Sequence, residues 1–423
     1  MMAEYLKKSV KEQKQQDDVS VTEIVKKSLN DIKEKGEIAV RELSSRFDNW
    51  NPESFRVSKE EIEQATKMVP ETFKQDTQYC QQQVREFAKA QLESLSEFEK
   101  EMQPGVILGQ KLIPIENVGA YVPGGRYPIV SSVQMSIIPP KVAGVDRVIA
   151  CSPPANGEGI HPGVLYAMNL AGVDEIYSLG GIQAIGTMAY GIEGISPVDF
   201  IVGPGNAYVA EAKRQVFGQV GIDQIAGPSE NLIIADEKAD PELVAADIWG
   251  QCEHDFRAVT IFITTSKNLA EEVQIEMEKQ ITSLATANVA KASWEKNGEI
   301  ILVQDKEEAV KVANDYAIEH VQVHAEDLDY YLKHLRNYGS LFLGEETTVT
   351  YGDKGIGTNH ILPTEKAARY TGGLWVGKFL KTLTYQKCTK EASKKIAPII
   401  ANQCRYEGMI AHAVTAEIRQ RKF

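Results

Sequence analysis

Ile300-Ile-Leu-Val-Gln-Asp-Lys-Glu-Glu-Ala-Val-Lys-Val-Ala-Asn-Asp-Tyr-Ala-Ile-Glu-His-Val-Gln-Val-His324 carries the pattern on which the fold turns. Ile300–Gln304 reads as a strand, 306–317 as a helix and His320–His324 as a second strand, because compact β-branched runs bracket a charged stretch. The alternation continues outward in both directions. Asn231–Ala235, a helix over 241–254, Val259–Thr264 and a helix over 268–284 precede it; a helix over 326–337 and Ser340–Leu343 follow. A separate series begins near residue 112, with Val145–Ser152, Pro162–Ala171, Glu175–Leu179, a helix over 183–192, a strand over 199–202 and a helix over 206–217. Strands alternating with helices imply parallel sheets covered on both faces, so the expected class is α/β with two such domains.

The flanks differ. Residues 5–100 are charged and expected to be helical, with a capping box in Ser58-Lys-Glu-Glu61 and a hydrophobic staple from Val57 to Ile62. The sparse apolar positions of 72–103 predict a largely exposed helix, and the last fifty residues, with Trp375, Phe379 and Tyr385, a helical tail.

The chain has 423 residues, enough for two or three domains, and a net charge of −13, which argues against nucleic acid and anionic membranes as partners. No apolar run approaches the roughly 18 residues of a membrane span. The N-terminus, Met1-Met-Ala-Glu-Tyr-Leu-Lys-Lys, lacks a signal-peptide core. Five cysteines, at 80, 151, 252, 388 and 404, show no CxxC spacing and read as reduced thiols of a cytoplasmic protein.

Chemistry-bearing residues fall in a few segments. Tyr351-Gly-Asp-Lys-Gly-Ile-Gly-Thr-Asn-His-Ile-Leu-Pro-Thr364 places Asp353 and His360 in a Gly-rich loop with little apolar surface. The helix over 241–254, started by Asp240 as cap and Pro241 at its first position, ends in Gln251-Cys-Glu-His254. Asp247, Gln251 and His254 share one face of it, which by spacing alone suits a polar helix end facing solvent better than a chelating pair. Glu319-His320 is an adjacent acid and base at a helix-to-strand junction, fit for activating water and moving protons, or a plain exposed pair. Of the seven histidines, His254, His320, His360 and His412 lie in such segments, which points to a metal-assisted site assembled from distant pieces. Gly180-Gly-Ile-Gln183 and Gly203-Pro-Gly-Asn206 each precede a helix, at the kind of edge where nucleotides bind, although neither is a GxGxxG fingerprint. Gly124-Gly-Arg-Tyr127 is another backbone-exposing turn, and Ser229 in Gly227-Pro-Ser-Glu230 can reach a polar substrate or simply close a turn. Glu407 and His412, on one expected helix, are offset around it by about 140° and need not serve one contact.

Taken together, these pieces resemble the histidinol dehydrogenase family. The matches are Tyr121-Val-Pro-Gly-Gly125, Gly180-Gly-Ile-Gln-Ala-Ile185, Val202-Gly-Pro-Gly-Asn-Ala-Tyr-Val-Ala-Glu-Ala-Lys-Arg-Gln215, Ala226-Gly-Pro-Ser-Glu230, Gln251-Cys-Glu-His254, Glu319-His320, Gly352-Asp353, Gly357-Thr-Asn-His-Ile-Leu-Pro-Thr364 and Glu407-Gly-Met-Ile-Ala-His412. The resemblance implies a homodimer, with one zinc per subunit, that passes two hydrides to two NAD while oxidising a primary alcohol through an aldehyde to a carboxylate. It implies zinc ligands at Gln251, His254, Asp353 and His412 and an acid–base pair at Glu319 and His320. It implies NAD contacts at Tyr121, Gln183 and Asn206 and substrate contacts at Ser229, His360 and Glu407, beside His320 and the zinc ligands themselves. The implied layout is a helical N-terminal arm over 1–18, a discontinuous incomplete Rossmann-like domain over 19–120 and 233–374, a second over 121–232, and a helical dimerisation tail over 375–423 that reaches into the other subunit.

Two segments depart from the histidine-pathway pattern. Ala368-Arg-Tyr-Thr-Gly-Gly-Leu-Trp-Val-Gly-Lys-Phe-Leu-Lys-Thr382 stands where those enzymes usually carry a small, serine-containing stretch, and Glu253-His-Asp-Phe-Arg-Ala258 replaces the usual Asp-Pro. The former, with Tyr351-Gly-Asp-Lys354, resembles the branch of the family containing sulfopropanediol 3-dehydrogenase. That implies oxidation of 2,3-dihydroxypropane-1-sulfonate to 3-sulfolactate, with Arg369, Lys378 and Lys381 as cations for the sulfonate. The alternatives are L-histidinol, another amino-alcohol or polyol, or a non-catalytic metal- or nucleotide-binding paralogue.

Overall fold

The structure is a computed structural model that describes residues 3–10, 15–124, 128–155, 157–225 and 227–423. Gly125-Arg-Tyr127 of the first glycine turn and Ala226 therefore lie outside the described residues, as does part of the expected N-terminal arm.

Strand β1 (Glu4–Lys7) is followed by a block of four helices and then by a hairpin of β2 (Phe98–Gln103) and β3 (Val106–Pro114). β4 (Asn117–Tyr121), β5 (Arg147–Ser152), β6 (Glu175–Ser178), β7 (Phe200–Val202) and β8 (Gly221–Ile222) form a parallel sheet in the order β6-β5-β4-β7-β8. β9 (Glu230–Ala235), β10 (Val259–Thr264), β11 (Glu299–Leu302), β12 (Ile318–His324) and β13 (Tyr338–Leu343) form a second, β11-β10-β9-β12-β13, onto whose edge β1 adds antiparallel to β11. β14 (Leu380–Cys388) returns to pair with β3. In each parallel sheet the first strand is central and the order reverses beside it, between β4 and β7 and between β9 and β12.

Both sheets are buried on both faces, which is why their strands read as apolar runs. Ile149 and Cys151 pack with Ile182 and Ile185 on one side of the first sheet, while Val148 and Ala150 pack with Val133 and Ile137 on the other. In the second sheet Ile233 and Phe262 meet the helix Pro241–Cys252, and Leu232 and Ile261 meet the helix Lys306–Tyr316.

Several expectations change in detail. The helices of 15–93 pack on the first sheet, not on the second to which the sequence reading joined residues 19–120. Val25, Leu29 and Ile32 lie in the cluster around Ile185 and Val209. A helical stripe shows which face is apolar and not what it will meet. Helix Glu71–Glu93 is largely exposed as expected, burying Thr77, Gln81, Val84 and Ala88, but it stops short of 103, where Phe98–Gln103 forms β2. The tail is not wholly helical, because β14 precedes its two helices. Asp353 lies in a short helix, Val349–Lys354, rather than a loop. The Ser58–Glu61 capping box forms as read, with Ser58 N donating to Glu61 Oε2 at 2.7 Å and Glu61 N to Ser58 Oγ at 3.1 Å.

Candidate active site

Most of the singled-out side chains of the second α/β unit meet at the N-terminal edge of its sheet. A helix that follows a parallel strand runs back along it, so the C-terminus of Pro241–Cys252 brings Gln251 and His254 to the edge where β9 and β12 begin. Asp240 caps the start of this helix by accepting from Glu242 N at 2.8 Å. His254 lies just past the helical span, its N–H donating to Gln251 O at 3.4 Å.

Glu319 and His320 open β12, both buried. Their anchor is the backbone of Glu230 at the start of β9. Glu230 N donates to Glu319 Oε2 at 2.9 Å, and His320 Nδ1 lies 3.2 Å from Glu230 O. A carbonyl oxygen only accepts, so this contact assigns the proton of the neutral ring to Nδ1 and the lone pair to Nε2. Burial pushes the His320 imidazole down to about 4, against the charge of Asp353, which pulls it up. Burial also pushes Glu319 well above the usual carboxylate range, despite the Glu230 N–H. Both shifts disfavour charge, so burial works against an ion pair across the 3.5 Å between His320 Nδ1 and Glu319 Oε2.

Asp353 faces both histidines, with Oδ2 at 3.8 Å from His254 Nε2 and Oδ1 at 3.7 Å from His320 Nε2. These gaps are too wide for hydrogen bonds. Gln251 Oε1 is buried without a hydrogen-bond partner, and so is His320 Nε2. His360 hangs beneath: its Nδ1 lies 2.9 Å from Asp353 O and its Nε2 3.3 Å from Ser132 Oγ. Burial lowers its pKa too. Ser132 belongs to the helix Ser131–Ala143 that follows β4, and Gln134 of that helix donates to Lys354 O at 3.0 Å. The edge of the second sheet is thus tied to the C-terminal edge of the first.

The expected nucleotide positions lie on that C-terminal edge. Tyr121 ends β4, and its hydroxyl accepts from Gly181 N at 3.2 Å. Gln183 Nε2 donates to Asp48 Oδ2 at 2.7 Å. Asn206 caps Ala207–Val216 by accepting from Tyr208 N and Val209 N at 3.0 and 3.1 Å. Gly203, φ +122, passes so close to the first sheet that a Cβ would stand 2.0 Å from Tyr121 O. A buried Lys213–Asp223 pair braces the same turn, Lys213 Nζ donating to Gly203 O at 2.8 Å. Ser229 sits immediately before β9, its carbonyl accepting from Val259 N at 3.0 Å.

Glu407 and His412 stand apart. They lie on two helices, not one: Glu407 caps Lys390–Tyr406 and His412 is in the first turn of Ile410–Lys422, with Gly408 at φ +77 between them. The offset expected on a continuous helix therefore does not apply. Both are exposed on the tail, and among the described residues neither makes a hydrogen bond or ion pair with the groups at the strand edge. Nor, among the described residues, do three His, Cys, Asp or Glu side chains form a metal cluster there. The backbone of Glu230 and the hydroxyl of Ser132 were not singled out from sequence. A main-chain anchor has no side-chain signature.

The profile of the histidinol dehydrogenase family matches residues 11–420. This chain belongs to the histidinol dehydrogenase family. A histidinol dehydrogenase homolog of Shouchella clausii is 57% identical over 380 residues, covering 90% of this chain and 89% of that one. A sulfopropanediol 3-dehydrogenase of Ruegeria pomeroyi is 46% identical over 382 residues, covering 90% and 88%. The crystal structure of a histidinol dehydrogenase from Elizabethkingia anophelis superposes with a TM-score of 0.92 at 34% identity, over 98% of this chain and 94% of that one. The chain is accordingly an α/β oxidoreductase of the histidinol dehydrogenase family. Among the described residues no helix is long and apolar enough to cross a membrane.

Against that family background the departing segment acquires a place. Trp375 and Lys378 line a cavity of about 550 Å³ together with Ser340, Asn359, Tyr370 and Thr371. Ser340 on β13 is level with His320 on β12, and Asn359 precedes His360, so the cavity abuts the candidate active site. Lys378 is half-buried, without a carboxylate partner among the described residues. Arg369 and Lys381 do not line the cavity. Both are exposed, Arg369 Nε donating to Lys366 O at 3.1 Å and Lys381 lying opposite Ile113 on β3.

Proposed function

We propose that this member of the family is a zinc- and NAD-dependent dehydrogenase that takes a primary alcohol through an aldehyde to a carboxylate, and that its substrate is 2,3-dihydroxypropane-1-sulfonate. The observation that carries the reaction is the approach of Asp353 to His254 and to the partnerless His320 Nε2, with the buried, partnerless Gln251 Oε1 on the helix end that leads into His254. Two atoms held tetrahedrally at about 2.0–2.1 Å from one zinc ion stand roughly 3.3 Å apart. The 3.8 Å between His254 Nε2 and Asp353 Oδ2 is near that spacing, and an amide oxygen, an imidazole and a carboxylate form a donor set that zinc accepts. Gln251, His254 and Asp353 would hold the ion, with His412 reaching it from the tail of a second copy. Zinc, when bound, supplies Lewis-acid polarisation of the substrate oxygen, and NAD accepts hydride.

The chain's own groups handle protons. His320, with Nδ1–H held by the Glu230 carbonyl, presents the Nε2 lone pair to the alcohol proton. Its depressed pKa keeps that lone pair available at neutral pH. Glu319, fixed through Oε2 by Glu230 N–H, takes a proton from the water that attacks the aldehyde carbon. A carboxylate whose pKa is raised by burial is a stronger base than a solvated one. Tyr121, Gln183 and Asn206 would meet NAD along the C-terminal edge of the first sheet. Ser229, His360 and Glu407 would meet the substrate.

The sulfonate reading rests on Lys378 in the adjoining cavity and on the likeness to the Ruegeria pomeroyi sulfopropanediol 3-dehydrogenase. A compact anion with three acceptor oxygens suits a cation without a carboxylate partner, and the Trp375 indole narrows the space for an imidazole-bearing substrate. L-histidinol is the second reading, favoured by the match to the Elizabethkingia anophelis histidinol dehydrogenase. Incubation with NAD and each candidate separates them. Two NADH are expected per dihydroxypropanesulfonate, with poor oxidation of L-histidinol, and Lys378→Ala should raise KM for the sulfonate about tenfold or more. Efficient turnover of L-histidinol with none of the sulfonate overturns the substrate while leaving the family intact.

The site would be completed in a homodimer. The tail that bears Glu407 and His412 exposes Ile399, Tyr406, Ile410 and Phe423 to solvent, an apolar surface suited to a second copy. Mixing Glu319→Gln chains, defective in aldehyde oxidation, with inactive His412→Ala chains should restore part of the aldehyde oxidation, since half of the sites in each heterodimer would be intact. Confirmed heterodimers without activity would contradict completion in trans.

A further inference from the structure

Asn231, the second residue of β9, is fully buried, yet neither its Nδ2 nor its Oδ1 has a hydrogen-bond partner among the described residues. A buried amide left unpaired opposes folding, and at a central strand position an apolar residue would avoid the penalty. The sheet register shows what stands beside it. Asn231 is level with Thr260 on β10 and with His320 on β12, and His320 is level with Ser340 on β13. Level residues on neighbouring strands share a face. The helix Pro241–Cys252 covers this face, with Val244, Ile248 and Cys252 packed on Ile233 and Phe262. Its last turn carries Gln251, whose Oε1 is also buried and partnerless, as is His320 Nε2. An amide donor and two acceptors are thus shut in around one helix end. They do not bond one another and are of the right kinds to share a water, which needs two to four polar partners.

We propose that Asn231 is a positioning residue that fixes the orientation of the Gln251 carboxamide. A glutamine amide can turn over and exchange its oxygen for its NH₂, and only the oxygen can ligate a cation. The Asn231 NH₂ group, acting through a water shared with His320 Nε2, selects the orientation in which Gln251 Oε1 faces Asp353 and His254. The inference rests on the reading of Gln251 as a metal ligand.

Zinc affinity, measured by competition with a chelator on metal-stripped protein, tests it, together with the melting temperature of the metal-free chain. Asn231→Val should weaken zinc binding about 10–100-fold, as loss of a partner behind a ligand does. The metal-free melting temperature should hold or rise by about 1–3 °C, because an unpaired buried amide is gone. Asn231→Ser, which keeps a donor, should recover most of the affinity, and in the zinc-loaded valine variant kcat should fall with KM for NAD unchanged. If valine overfills the site, Asn231→Ala makes the same test. Unchanged zinc affinity in both the valine and the alanine variants overturns the inference, as does a loss that serine does not recover. Gln251→Ala separates the two layers. A loss there without one in the Asn231 variants overturns the role of Asn231 alone, whereas no loss in Gln251→Ala overturns the ligand reading and this inference with it.

Discussion

Replacing His320 by alanine should lower turnover of both the alcohol and the aldehyde by about 10²–10⁴-fold, the usual worth of a positioned proton-transfer group. Glu319→Gln should behave differently. It keeps the shape at the start of β12, and its carbonyl oxygen can still accept from Glu230 N, the contact now made at 2.9 Å. What it loses is the ability to take a proton from water, so aldehyde oxidation should suffer by a similar factor and alcohol oxidation by much less. The fold should persist, because the substitution removes a carboxyl group that burial already penalises. Stopped-flow measurement of NADH from alcohol and from aldehyde reads the two half-reactions separately. Near-normal turnover of both substrates by both variants would refute the acid–base assignment.

Metal removal is the second large effect. Groups that merely support a metal ligand cost 10–100-fold in affinity or activity, so loss of a direct donor should cost more than about 100-fold. His254→Ala and Asp353→Asn should therefore lose zinc and turnover together, and chelation of the intact protein should do the same reversibly. The chelated chain should remain folded. Its core is the apolar packing on the faces of the two sheets, and none of Gln251, His254 or Asp353 belongs to those clusters. Circular dichroism checks the fold and metal analysis the stoichiometry. Full activity in rigorously metal-free protein would sink the zinc assignment.

Side-chain chemistry and strand–helix periodicity were legible in the chain before any coordinates. Val259–Thr264 occurs as read, His320–His324 is the body of β12, and Asp240 caps the helix that carries Gln251. These are local matters, set by which residues follow one another, and local sequence states them. The exposed tail was foreseen as separate, but its strand was not. β14 lies with most of its residues exposed and earns its place only by pairing with β3, so no alternation of buried and exposed positions announces it. The turn at Gly408 likewise separates Glu407 from His412, and a lone glycine is its only sign in the sequence.

The sequence by itself determined the α/β class, the family and the identity of the groups that gather at the strand edge, because motif residues and apolar periods are written into adjacent positions. Only the tertiary structure decided that the site forms at the N-terminal edge of the second sheet, against the C-terminal edge of the first. It also decided that the N-terminal helices cover the first sheet, that Lys378 rather than Arg369 or Lys381 lines the cavity, and that Asn231 lies unpaired beside His320. Each of these depends on which surfaces meet across long separations in the chain. An amphipathic stripe or a lone polar residue specifies that it needs a partner, and packing in three dimensions selects which one.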